Sequence, residues 1–167
     1  MKKLIPLLVL FFTLSGSGQT SPADLGVAAI GLVVSDIEAS DAFYTSVIGM
    51  HPTGGFDLDA AWSRDAGAAG GKPFSVRTFK MQETPSATVL KLAYFDSVPE
   101  RPEQEGVSSY AGVNYITLHY RDLESVLGRV AAAGVPILGE VNTSSYRLVF
   151  IRDPDGVFLE LVGPPKS

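Results

Sequence analysis

Ala29-Ile30-Gly31-Leu32-Val33-Val34-Ser35-Asp36-Ile37-Glu38 returns 86 positions later as Tyr115-Ile116-Thr117-Leu118-His119-Tyr120-Arg121-Asp122-Leu123-Glu124, and this imperfect repeat decides the fold. In each copy an apolar, strand-like run gives way at an Asp to a helix-like one, so a single strand-to-helix unit is used twice. Each copy also closes on an apolar run with one charged residue at its centre. These are Val89-Leu90-Lys91-Leu92-Ala93-Tyr94-Phe95 and Val157-Phe158-Leu159-Glu160-Leu161-Val162. Two similar half-domains with a ligand site between them are the economical reading.

Working outward, Val27 to Val34 reads as a mostly buried strand, and Ser35-Asp36-Ile37-Glu38 matches a capping box with Ser35 as N-cap and Glu38 three positions on. The helix that follows carries Ile37, Phe43, Tyr44, Val47 and Ile48 as its apolar stripe, and Gly49 can take the left-handed conformation that closes it. In the second copy the helix runs from Asp122 to Ala133, with Leu123, Val126, Leu127 and Val130 on one face and Gly134 and Pro136 ending it. Phe74 to Gln82 and Ala87 to Asp96 form two strands joined across Glu83-Thr84-Pro85-Ser86. Tyr146 to Arg152 and Val157 to Val162 flank Asp153-Pro154-Asp155-Gly156, where Pro at the second place and Gly at the fourth suit a type I turn. Asp57 to Pro73 is rich in Ala and Gly, carries the only Trp, Trp62, and reads as a long loop.

The ends and the bulk composition bound the class of protein. Met1-Lys2-Lys3, the apolar run Leu4 to Leu14 and the small residues Ser15 to Gly18 have the three-part pattern of a signal peptide over residues 1–18. The apolar run is 11 residues, well short of the roughly 20 a helix needs to cross a bilayer. A cleaved, periplasmic or secreted protein without a stable membrane anchor is therefore expected. It has a tail at 19–24 and one domain at 25–165, divided into module one (25–97), a polar linker (98–112) and module two (113–165). The chain has no Cys, which removes disulfides, thiolate metal sites and cysteine nucleophiles. Its formal charge is −5 and it has no cluster of Lys or Arg, so nucleic acid is not an expected partner. Gly67 to Lys72 fails as a phosphate loop, because Ala66 and Pro73 stand where the first Gly and the Ser/Thr belong.

With both modules placed, the chain resembles the vicinal oxygen chelate superfamily, which includes glyoxalases, extradiol dioxygenases, fosfomycin-modifying enzymes and bleomycin-binding proteins. The likeness rests on Val34-Ser35-Asp36-Ile37-Glu38-Ala39-Ser40, Phe43-Tyr44, Val47-Ile48-Gly49 and Asp153-Pro154-Asp155-Gly156-Val157-Phe158-Leu159-Glu160-Leu161. It implies an α+β fold of two βαβββ modules, forming a curved, partly open cup of mixed β-sheet with the helices outside. In the family's metal enzymes four side chains, usually His, Glu or Gln, reach the cup from the first and last strands of each module. Here the aligned places hold Ala29, Lys91, Tyr115 and Glu160, of which Glu160 alone is an ordinary ligand. An ammonium group repels a divalent cation, and a methyl group donates nothing. No metal and no other cofactor is expected, a divalent metal being the alternative.

What replaces the metal follows from the same places. Lys91 and Glu160 are equivalent in the two modules and are expected to form an ion pair across the cup, with Tyr115 completing its polar floor. His119 shares strand parity with Tyr115 and Thr117 and should also point inward, and its near-neutral titration suits acid–base work. Arg77 lies on a strand lining the same sheet and can bind an anion, a rim salt bridge being the other reading. Trp62, Phe79 and Tyr94 are candidate apolar wall, and His51 is a surface residue at a module edge.

The expected ligand-binding set is Lys91, Tyr115, Thr117, His119, Glu160 and Arg77, with Glu160, His119 and Tyr115 as candidates for any catalysis. The function this supports is an exported glyoxalase or bleomycin-resistance-like protein that binds a small molecule without the usual metal. The alternative is a glyoxalase-like lyase or isomerase with a non-standard or metal-free site. The resemblance adds a possible homodimer.

Overall fold

The computed structural model describes residues 27–166; the signal-peptide and tail assignments lie outside that range. Module one runs β1 (Ala29–Val33), α1 (Ile37–Ala42), β2 (His51–Leu58), α2 (Ala60–Asp65), β3 (Phe74–Lys80) and β4 (Val89–Tyr94). Module two runs β5 (Tyr115–His119), α3 (Leu123–Ala132), β6 (Gly139–Asn142), β7 (Arg147–Arg152) and β8 (Phe158–Gly163). Each module builds a four-stranded mixed sheet, in the orders β1-β4-β3-β2 and β5-β8-β7-β6. In both, the first strand pairs in parallel with the last and the remaining pairs are antiparallel. The expected α+β architecture of two repeated modules with open sheets is what forms.

Strand parity sorts each sheet into two faces. Leu90 and Leu92 on β4, Phe79 on β3, Ile116 and Leu118 on β5, and Leu159 and Leu161 on β8 are buried against the helices in one core cluster. The opposite face of each sheet carries the alternate residues and is the one open to solvent.

Several local expectations are corrected. Asp36, not Ser35, caps α1, its carboxylate accepting from the backbone N–H of Glu38 and Ala39. The Ser35 N–H is instead taken by the Asp155 carboxylate of module two, at 3.0 Å. The first helix is not uniform: α1 runs directly into a π-helical stretch, Phe43–Ile48, which ends at Gly49 with φ +88°. The span read as a loop from Asp57 to Pro73 contains the end of β2 and the whole of α2. There the Asp59 side chain caps the Trp62 N–H and the alanines supply helix propensity.

The modules are joined through the π-helical stretch. Its last carbonyls have no partners in their own helix. Arg129 of α3 donates to the Val47 and Ile48 carbonyls, and the Tyr120 hydroxyl donates to the latter. A guanidinium at a helix C-terminus also complements the helix dipole. Next to it, the buried Tyr44 hydroxyl donates to the Asp153 carboxylate at 2.8 Å.

Close backbone approach sets one sharp packing limit. A Cβ on Gly163 would lie 2.6 Å from the Leu123 Cβ, where α3 rests on β8. Gly163→Ala is expected to cost about 1–3 kcal/mol by overpacking, measured as a lower urea midpoint with unchanged slope.

The first-turn glutamate of each long helix is held by an arginine of its own sheet. Glu38 pairs with Arg77 of β3, and Glu124 with Arg147 of β7, which also pairs with Glu140. Hydrogen bonding to these arginines holds the Glu38 and Glu140 carboxyls below the usual range, and the Ser125 hydroxyl does the same for Asp122. Their folded pKa values lie below the unfolded ones, so their contribution is present above the ordinary carboxylate range and is lost as pH falls through it. The urea midpoint should fall between pH 6 and pH 3, and Arg147→Met should flatten that dependence. An Arg147→Met midpoint that falls with acidification as steeply as the parent's would contradict the Arg147 pairings.

Candidate functional site

Register places the candidate residues on the open faces. Gly31 of β1, Lys91 of β4 and Thr78 of β3 lie side by side in module one. In module two, Thr117 of β5, Glu160 of β8 and Phe150 of β7 form the equivalent row. Ala29 and Tyr115 sit two residues before Gly31 and Thr117, so the two modules present their paired positions in the same way.

Glu160 does not pair with Lys91. The Thr117 hydroxyl, on the adjacent strand, donates to the Glu160 carboxylate. Among the described residues Lys91 makes no ion pair and no side-chain hydrogen bond. The expected ion pair across the cup is therefore replaced by a local contact within module two.

Of the two readings of Arg77, the salt bridge is the one that forms. Arg77 is one residue off the parity of Thr78, so it faces the helices, where Glu38 and Asp41 both accept from it. Phe79 is fully buried in the core and Tyr94 packs against it, so neither lines the cup. Trp62 is half exposed and packs edge-on against Phe74 of β3. His51 is exposed on the edge strand β2. Tyr115, Thr117 and His119 share the open face of β5 as expected.

The structure adds a part of the site that the sequence reading missed. Tyr115 packs edge-on against Phe150, and Phe150 against Phe158, with ring centroids 6.0 and 6.3 Å apart. Val107, Leu138, Gly139, Phe150 and Phe158 line an apolar hollow of about 260 Å³. Val107 belongs to the segment between the modules, which is tied down beside the hollow. Arg152 lies 4.4 Å over the Phe158 ring and donates to the Gln104 carbonyl. Gln104 is buried and bonds to Arg101, Tyr110 and Asn114. The signal was available: Leu148, Phe150 and Arg152 alternate at period two, which places them on the face of Glu160.

The donor chemistry at the four family positions does not fit a divalent cation. Ala29 has no donor atom, Lys91 offers an ammonium, Tyr115 a phenol, and Glu160 is already bonded to Thr117. Among the described residues no three His, Asp or Glu side chains gather as a metal-binding group. What the arrangement offers is an aromatic floor, a carboxylate–hydroxyl pair and a separate ammonium.

The comparisons with known proteins agree with this fold. A family model, the Glyoxalase/Bleomycin resistance protein/Dioxygenase superfamily, matches residues 26–161. A glyoxalase family protein from Bacillus cereus superposes with a TM-score of 0.71 at 21% identity, covering 88% of this chain and 99% of that one. The trypanothione-dependent glyoxalase I of Leishmania major gives 0.60 at 24% identity, covering 81% and 84%. The fosfomycin resistance protein FosX of Listeria monocytogenes gives 0.53 at 17% identity, covering 81% and 90%. No curated protein matches the sequence significantly. At these identities the solved structures speak for the fold alone, while the family model spans most of the chain. This chain belongs to the glyoxalase/bleomycin resistance protein/dioxygenase superfamily.

Proposed function

We propose that this chain is an exported small-molecule binding protein whose cup holds its ligand without a divalent metal. The observation that carries the reading is the donor set: one carboxylate, engaged with Thr117, beside an alanine, a lysine and a tyrosine. A single carboxylate is too few ligands to retain a divalent ion in competition with water. Phe150, Phe158 and Tyr115 supply the apolar surface that a small-molecule site needs, and Thr117, Glu160 and Lys91 supply polar points of orientation.

Native mass spectrometry of protein purified from an exporting host tests this. The expected result is an organic adduct that survives chelator treatment and is recovered chemically unchanged. A second reading, a metal-free glyoxalase-like lyase or isomerase, is favoured by one observation: Tyr115, Thr117 and His119 share the open face of β5 beside Glu160. Recovery of the adduct as a lyase or isomerase product would favour that reading over simple binding.

A further inference from the structure

The cup faces carry a charge opposite to that of the chain. On the open faces of the eight strands the charged positions are Lys80, Lys91, Arg152 and Glu160, three cations and one anion, in a chain of formal charge −5. Three of these four are engaged: Glu160 by Thr117, Arg152 by the Gln104 carbonyl and Lys80 by the Thr84 carbonyl. Lys91 is the exception. It is half-buried, and its neighbours on the same face are Ala29, Gly31, Val33, Val76, Thr78, Val89 and Ala93, none of which can balance its charge.

The space beside it is open. A Cβ built on Gly31, the cross-strand partner of Lys91, would meet no other atom within 4 Å. An unpaired ammonium next to open space, with no carboxylate on its own sheet face, favours an anion that comes from outside. The end of β1 is also close to module two, since Val33 and Val157 line one cleft of about 480 Å³.

We propose that the ligand is an anion with an apolar body, with Lys91 as its counter-ion and the apolar side chains on the same face, Val33, Val76, Val89 and Ala93, as its apolar contact. This rests on the reading of the cup as a small-molecule site and names the class of compound it takes. In this arrangement the Lys91 ammonium supplies the positive charge at the place where the family's metal enzymes use a cation.

Three probes of one shape test it: 1-naphthoate, 1-naphthamide and 1-naphthylmethylamine, titrated by fluorescence into the purified chain. Naphthoate should bind about tenfold more tightly than the amide, a difference of about 1.4 kcal/mol, and the amine should bind weakest. Added salt should weaken naphthoate and leave the amide unchanged. Lys91→Met should abolish the preference while keeping amide affinity and the unfolding midpoint, and Lys91→Arg should retain it.

Equal binding of naphthoate and amide, or a preference that survives in Lys91→Met, overturns the anion assignment and leaves the cup as a binding site. Failure of all three probes to bind overturns the cup reading and the anion assignment with it.

Discussion

Replacing Asp153 with Ala should lower the melting temperature by about 6–12 °C, corresponding to about 3 kcal/mol in a domain of this size. Asp153 is 6% exposed and its carboxylate accepts three hydrogen bonds. They come from the Tyr44 hydroxyl at 2.8 Å and from the backbone N–H of Asp155 and Val157 at 3.0 and 2.8 Å. Removing the carboxylate leaves all three donors without this partner, two of them in buried surroundings, and an unmet buried donor costs more than a made bond contributes. Burial raises the carboxyl pKa of Asp153 and pushes the Tyr44 hydroxyl up as well, as expected for a polar pair enclosed by apolar side chains. Tyr44→Phe keeps the edge-on ring contact with Phe43 and loses one bond, so it should cost about 1 kcal/mol. The double variant should lose less than the sum of the two. Strict additivity would mean that this hydrogen bond does not join the modules.

The largest expected effect is a gain. Ala29→His, Lys91→Glu and Tyr115→His, made together with Glu160 retained, should raise zinc affinity by about 10³-fold or more over the parent chain. The register justifies the choice. Ala29 lies two residues before Gly31, which pairs with Lys91, and Tyr115 lies two residues before Thr117, which pairs with Glu160. Each module thus presents one position on its first strand and one on its last, on the same open face. Calorimetric titration with zinc reads the result directly. A parent chain that binds zinc as tightly as the triple variant would remove the basis for a metal-free cup. A folded triple variant that fails to bind zinc would mean that the four positions do not converge.

The repeat made the two strand-to-helix units legible, and the motifs at 34–49 and 153–161 the family, while the pairing of first and last strands comes from the structure. The starts of α1 and α3 were legible to within a residue, whereas α2 was read as loop. Ser35 and Asp36 are both good caps, and what separates them is a bond from the Ser35 N–H to Asp155, 120 residues away. The edge strands β2 and β6 gave no signal because they have almost no buried side chain to impose a period. Pro52, Gly54 and Gly55 lie within β2, which as an edge strand tolerates them.

Arg77 was left with two readings because no parity was assigned to its strand; the pairing of Thr78 with Lys91 turns Arg77 to the helices and its salt bridges. The exchange of Lys91 for Thr117 as the partner of Glu160 has a different cause. A contact between modules depends on the angle at which two sheets meet, whereas Thr117 stands beside Glu160 on the neighbouring strand. The strand pattern carried the aromatic floor, but the hollow beside it was hidden because Val107 and Leu138 come from irregular segments.

The most direct measurement is the metal content of the purified chain after incubation with zinc, iron or manganese and exhaustive exchange into metal-free buffer. An ammonium, a methyl, a phenol and one engaged carboxylate predict far less than one ion per chain, with ligand binding unchanged by chelation. One tightly held ion per chain, lost together with ligand binding when a chelator is added, would contradict it.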